Sequence, residues 1–68
     1  MVAGNDRVIL RMKQLVVFIG LSRSKIYEML NERSKRYDPH FPKPIPLSAG
    51  AVGWYQHEVL EWLEFRRE

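Results

Sequence analysis

Ser22, Arg23, Ser24 and Lys25 place two hydroxyls and two cations on four consecutive residues. Such groups bond phosphate oxygens, and the shorter ones also reach the edges of bases. They follow Gly20 and open a segment with helical apolar spacing, which puts them in the first turn of a helix. The macrodipole favours Asp or Glu at that end, so Arg23 and Lys25 oppose the helix and suit an external polyanion. An N-cap followed by a solvated first turn accounts for the same four residues without a partner.

Two short helices must position this group. Met12, Leu15, Val16 and Ile19 recur at the spacing of one helical face and predict a helix over 12–19. Gly20 closes it, because glycine takes the left-handed conformation of a helix C-terminus without strain. Ser22 then caps a second helix over 22–31, its hydroxyl accepting from the backbone N–H of Ser24 or Lys25. Ile26, Met29 and Leu30 share the packing face of this helix. Ser24, Glu28 and Asn31 lie opposite, with Tyr27 beside them. Glu28 is expected to pair with Lys25 one turn back, the alternative being to accept from a cytosine amino group. The arrangement is that of a helix-turn-helix, although a Gly-containing turn also joins helices that merely pack.

From Asn31 to His40 the periodicity lapses into NERSKRYDPH, a predicted loop. Its cations Arg33, Lys35 and Arg36 add to a phosphate-binding surface or simply solvate the loop. In the following FPKPIPL, Pro42, Pro44 and Pro46 alternate with Lys43, Ile45 and Leu47. All three missing donors then fall on one edge of an extended strand, as in an edge strand protected from further pairing. Ser48, Ala49 and Gly50 supply a turn, and AVGWY returns with Val52 and Trp54 on one face. A wing hairpin over 41–55 follows, with a free polyproline stretch as the alternative. Val59, Leu60, Trp62 and Leu63 form the apolar band of a closing helix over 56–67. Glu58 and Glu61 near its start, and Arg66 and Arg67 near its end, agree with the macrodipole and need no functional explanation.

The chain has 68 residues and no cysteine, which suits one domain without a disulfide framework or thiolate metal site. Residues 1–44 carry nine Lys or Arg against four Asp or Glu, whereas residues 45–68 carry two against four. The positive field therefore lies on the helix-turn-helix half, which favours nucleic acid over an evenly solvated surface. No secretion signal or apolar span is present, and the expectation is a cytoplasmic protein with no membrane partner. His40 and His57 lack the spacing of metal ligands. No nucleophile triad or phosphate-binding glycine loop appears, so no enzyme activity, metal or cofactor is expected. Trp54 and Trp62 can stack on single-stranded bases in principle, but both fall on apolar faces and read as core.

The order ILRMKQL, GLSRSKIY, FPKPIPL and AVGW with HEVLEWL resembles the AlpA-like prophage regulators. These are small winged helix-turn-helix proteins related to phage excisionases and to the DNA-binding domain of the MerR group. The resemblance runs from Arg7 to Leu63 and implies a mainly α fold of three helices with a small β-hairpin wing. It further implies binding of double-stranded DNA, with the helix starting at Ser22 in the major groove. On this analogy Ser22, Arg23, Ser24 and Tyr27 match the family's recognition segment, with Lys25 on a phosphate; helical spacing alone adds Asn31 to the reading face. Arg33, Lys35, Arg36 and Lys43 complete the expected contacts. The implied role is control of transcription of excision or integration genes, with self-association on DNA and an integrase or RNA polymerase as partners. An excisionase-like factor that bends DNA is the alternative within this fold, and an antirepressor that docks on another protein lies outside it. Two features depart from the pattern. Arg33 to His40 is longer than the usual linker, and the wing turn SAG has no basic residue.

Overall fold

The computed structural model describes residues 8–67 as three helices packed on a three-stranded antiparallel sheet. In chain order these are β1 (Ile9–Leu10), α1 (Met12–Ile19), α2 (Arg23–Leu30), β2 (Ile45–Ser48), β3 (Ala51–Tyr55) and α3 (Gln56–Arg67). The strands lie in the order β1-β3-β2. The core comprises Leu10, Leu15, Ile26, Met29, Phe41, Trp54, Val59 and Trp62, so every helix and two strands contribute to it.

The helix-turn-helix has a local explanation at each joint. The Gln14 side chain accepts from the Arg11 backbone N–H at 2.9 Å, which satisfies one donor ahead of α1. Leu15 is fully buried, and Met12, Val16 and Ile19 pack around it. Gly20 ends the helix in the left-handed conformation with φ 74°, its N–H donating to the Val16 carbonyl at 2.9 Å. Two residues later the Ser22 hydroxyl accepts from the Lys25 N–H at 3.2 Å and starts α2. Ile26 and Met29 go inward, while Ser24, Tyr27, Glu28 and Asn31 face solvent.

The wing differs from the sequence expectation in two respects. Its first strand starts at Ile45 rather than Phe41, because Phe41 is withdrawn into the core. There it meets the Trp62 ring edge-on at 4.8 Å between centroids, while the Pro42 carbonyl accepts from the Trp54 indole N–H at 3.2 Å. Burying a phenylalanine and satisfying a buried indole outweigh extending the ladder by a few residues. Lys43 accordingly sits in a connection and not in a strand. Second, Val52 and Trp54 fare differently. Trp54 is 1% exposed, but Val52 is 41% exposed because the hairpin runs out past the core toward its turn, where Leu47 to Gly50 are also exposed. In α3, Leu60 is 46% exposed, so the apolar band is narrower than expected and rests on Val59, Trp62 and Leu63. Gly50, with φ 78°, supplies the turn, and the ladder is irregular between Pro46 and Ser48.

A third strand, β1, has no counterpart in the sequence expectation. Ile9 pairs with Tyr55 and Leu10 with Trp54, so β3 is central and β2 remains an edge. The Val8 carbonyl accepts from the Gln56 N–H at 2.9 Å, which holds the first residue of α3 beside the start of β1. The Arg11 guanidinium Nε donates to the Val52 carbonyl at 3.0 Å and ties α1 to the wing.

The close approach of β1 to β3 depends on Gly53. A Cβ at this position would lie 2.6 Å from Ile9 Cγ2 and 3.2 Å from both the Leu10 carbonyl oxygen and Leu47 Cδ1. Gly53→Ala must displace β1 or the wing, and it is expected to cost about 1–2 kcal/mol, as overpacking does. Thermal melting checks this: a fall in Tm of several degrees is expected, whereas an unchanged Tm would mean that β1 is not held against β3.

Candidate nucleic-acid interface

The first turn of α2 and its cap present two hydroxyls and two cations. Ser22, Arg23, Ser24 and Lys25 are all exposed, and no acidic residue shares the turn. Ser22 uses its oxygen lone pair on the Lys25 N–H, which leaves its hydroxyl proton free to donate outward. Tyr27 is 57% exposed and extends the polar face by one turn.

The segment after α2 is a chain of tight turns wrapped back onto the helices. The Asn31 side-chain oxygen accepts from Arg33 N–H at 3.0 Å, Ser34 Oγ from Arg36 N–H at 3.1 Å, and Asp38 Oδ1 from His40 N–H at 2.9 Å. These side chains substitute for a regular ladder by capping one turn after another. The Asp38 N–H also donates to the Met29 carbonyl at 3.0 Å, drawing the segment against the end of α2. His40 lies over the Phe65 ring at 4.4 Å between centroids, which fixes the far end on α3.

Asp38 joins the segment to α3 more directly. Its Oδ2 accepts from the Trp62 indole N–H at 2.9 Å and stands 3.5 Å from Arg66 Nη1, while Arg66 lies over the Trp62 ring at 5.0 Å. Burial raises the pKa of this carboxyl. The hydrogen bonds from Trp62 and from the His40 backbone, with the positive charge of Arg66, outweigh that effect and leave it below the ordinary value. Asp38 therefore serves as an ionised anchor between loop, indole and guanidinium.

This wrapping builds a basic cleft of about 340 Å³ beside the start of α2. It is lined by Lys25 from α2, by Lys35, Arg36, Tyr37 and Asp38 from the loop, and by Arg66 from α3, with Leu21 and Met29 as its apolar members. Lys25, Lys35 and Arg36, expected from the sequence, are thus brought together. Arg36 makes one contact that was not expected. Its Nε lies 3.1 Å from Glu28 Oε1, replacing the expected pairing of Glu28 with Lys25. The loop returns Arg36 alongside α2, where a guanidinium takes the carboxylate that a residue within the helix would otherwise hold.

The other expected site residues lie apart from the cleft. Asn31 and Arg33 are exposed where α2 gives way to the loop, and the Asn31 oxygen spends one lone pair on the Arg33 N–H, which leaves the other and its amide N–H groups for a ligand. Lys43 lines a different groove with Pro44, Tyr55, Glu58 and Glu61, where carboxylates oppose an anion. Arg66 and Tyr37 are cleft residues that sequence reasoning missed. Arg66 looks like an ordinary helix-end cation, and only the Asp38 contact brings it to α2.

The two helices joined at Gly20, the hairpin and the closing helix define a winged helix-turn-helix protein. The family described as prophage CP4-57 regulatory protein (AlpA) matches residues 8–67. A relative in Escherichia coli K12, called DNA-binding transcriptional activator AlpA, is 43% identical over 58 residues, covering 85% of this chain and 83% of its own. The chain belongs to the AlpA family of prophage regulatory proteins. No solved structure matches it. Among the described residues, no helix is long and apolar enough to cross a membrane.

Proposed function

We propose that this protein binds double-stranded DNA at specific sequences and regulates transcription of prophage or integrated-element genes in the cytoplasm. The observation that carries the reading is the continuity between the exposed Ser22–Lys25 turn and the cations that the loop folds against it. The name of the Escherichia coli relative, a transcriptional activator, supports regulation over architecture.

In this reading the N-terminal half of α2 enters the major groove. Arg23 and Lys25 meet phosphates, with Arg33, Lys35 and Arg36 following the backbone, and together they supply salt-sensitive affinity. Ser22 donates to a phosphate. Ser24, Tyr27 and Asn31 meet base edges or a thymine methyl, Asn31 keeping its amide N–H groups and one oxygen lone pair for this. The role needs no chemical step and no cofactor. A module of this size buries limited surface, so selective binding calls for repeated sites or self-association on DNA, with RNA polymerase or an integrase as the protein partner.

The test is competition between a labelled duplex from the region upstream of the protein's own gene and random duplex, at two salt concentrations. Preferential binding that weakens with salt is expected. Equal binding to both duplexes, or none at low salt, would favour a protein-docking module of the antirepressor kind.

A further inference from the structure

We infer that Arg66, at the far end of α3, is a DNA-phosphate contact, and that the cleft between α2, the Lys35–Tyr37 turn and α3 is a clamp for one strand's backbone. The inference rests on the DNA-binding reading above and extends its footprint to an element outside the helix-turn-helix.

Four observations combine. The cleft gathers four cations, Lys25, Lys35, Arg36 and Arg66, from three separate elements. Against them stand two carboxylates, Asp38 and Glu28, each in contact with an arginine. An excess of positive charge therefore remains in a concave site, where a phosphate is attracted most. Second, Lys25 belongs both to the first turn of α2 and to the cleft, so a strand positioned by α2 passes directly into it.

Third, Arg66 is held in place while still open to solvent. Its guanidinium rests over the Trp62 ring and near Asp38 Oδ2, yet the side chain is 57% exposed. The 3.5 Å Nη1 contact occupies one corner of the fork, and the remaining N–H groups are available to a phosphate. A side chain already ordered loses less conformational freedom on binding than a free one. Fourth, the half-buried Tyr37 lines the same cleft and adds a phenolic donor. Arg67 supplies the contrast. It faces Glu64 on its own helix at 3.6 Å, is 78% exposed, and does not line the cleft.

The experiment compares the full chain with Arg66→Gln, Arg66→Lys and Arg67→Gln. Each is titrated with the upstream-region duplex and with a random duplex of equal length across a salt series, and circular dichroism melting verifies folding. Arg66→Gln should weaken binding to both duplexes by roughly five- to tenfold at low salt. It should also flatten the dependence of log affinity on log salt by about one unit, the loss of one phosphate contact. Arg66→Lys should restore most of the salt slope, because a point charge still meets phosphate. Arg67→Gln should keep the parent affinity and slope. If the parent binds duplex in a salt-sensitive manner and folded Arg66→Gln keeps the same slope, the clamp is overturned while the α2 reading stands. If the parent binds no duplex, both fall together.

Discussion

Asp38→Ala should destabilise the protein by about 2–3 kcal/mol, the amount expected when a charged hydrogen bond is lost and its buried partner is left unsatisfied. The Trp62 indole N–H, on a residue 4% exposed, would lose its acceptor, and among the described residues no other side-chain oxygen is bonded to it. The His40 N–H and Arg66 would lose a partner at the same time. For a chain of this size the shift corresponds to a fall in Tm of roughly 10–20 °C. The same anchor predicts a pH dependence. The folded-state pKa of Asp38 lies below the ordinary 3.8, so its contribution is present at pH values above that figure and is lost as the pH falls through the lowered value. The parent protein should therefore lose Tm on acidification below pH 3.8 more steeply than Asp38→Ala. Parallel acid profiles would show that the carboxylate is not the anchor.

The largest effect on binding should come from removing both cations of the first α2 turn. Arg23→Ala with Lys25→Ala is expected to weaken binding to the upstream duplex by about 100-fold at low salt and to reduce the salt slope by about two units. Stability should hold or rise slightly, because two charges that oppose the helix dipole are removed while the Ser22 cap remains. That combination separates a ligand-binding role from a structural one. Unchanged affinity in the folded double variant, at matched salt, would remove α2 from the interface.

Much of this architecture was legible in the sequence because local chemistry decides it. The bounds of α1 follow from the spacing of Met12 to Ile19 and from Gly20, and α2 follows from Ser22 and the face made by Ile26 and Met29. Neither needs a distant partner for its definition. The parts that were not legible are those set by tertiary contacts. Ile9 and Leu10 are too short a run to announce a strand, and β1 exists because Gly53 admits it against β3. Phe41 reads as the head of a proline-alternating strand but is taken by the core. Leu60 belongs to an apolar band by spacing, yet among the described residues it stays 46% exposed.

The candidate site divides in the same way. The Ser22–Lys25 turn is contiguous in sequence and was visible from residue types alone. The cleft was not, because NERSKRYDPH looks like a solvated insertion until Asp38 is placed against Trp62 and Arg66. A loop whose side chains cap its own backbone carries no apolar periodicity to betray its order. Glu28 shows the consequence, since its partner comes from the folded-back loop, eight positions along the chain, and not from the helix turn before it.

The most direct test of the account is amide chemical-shift mapping of the labelled protein as the upstream-region duplex is added. The account predicts that the largest changes fall on Ser22 to Tyr27, on Lys35 to Tyr37 and near Arg66, with little change along the groove lined by Lys43, Tyr55 and Glu61. Changes concentrated on that second groove, or on the exposed Val17 and Phe18 face of α1, with α2 unmoved, would contradict it.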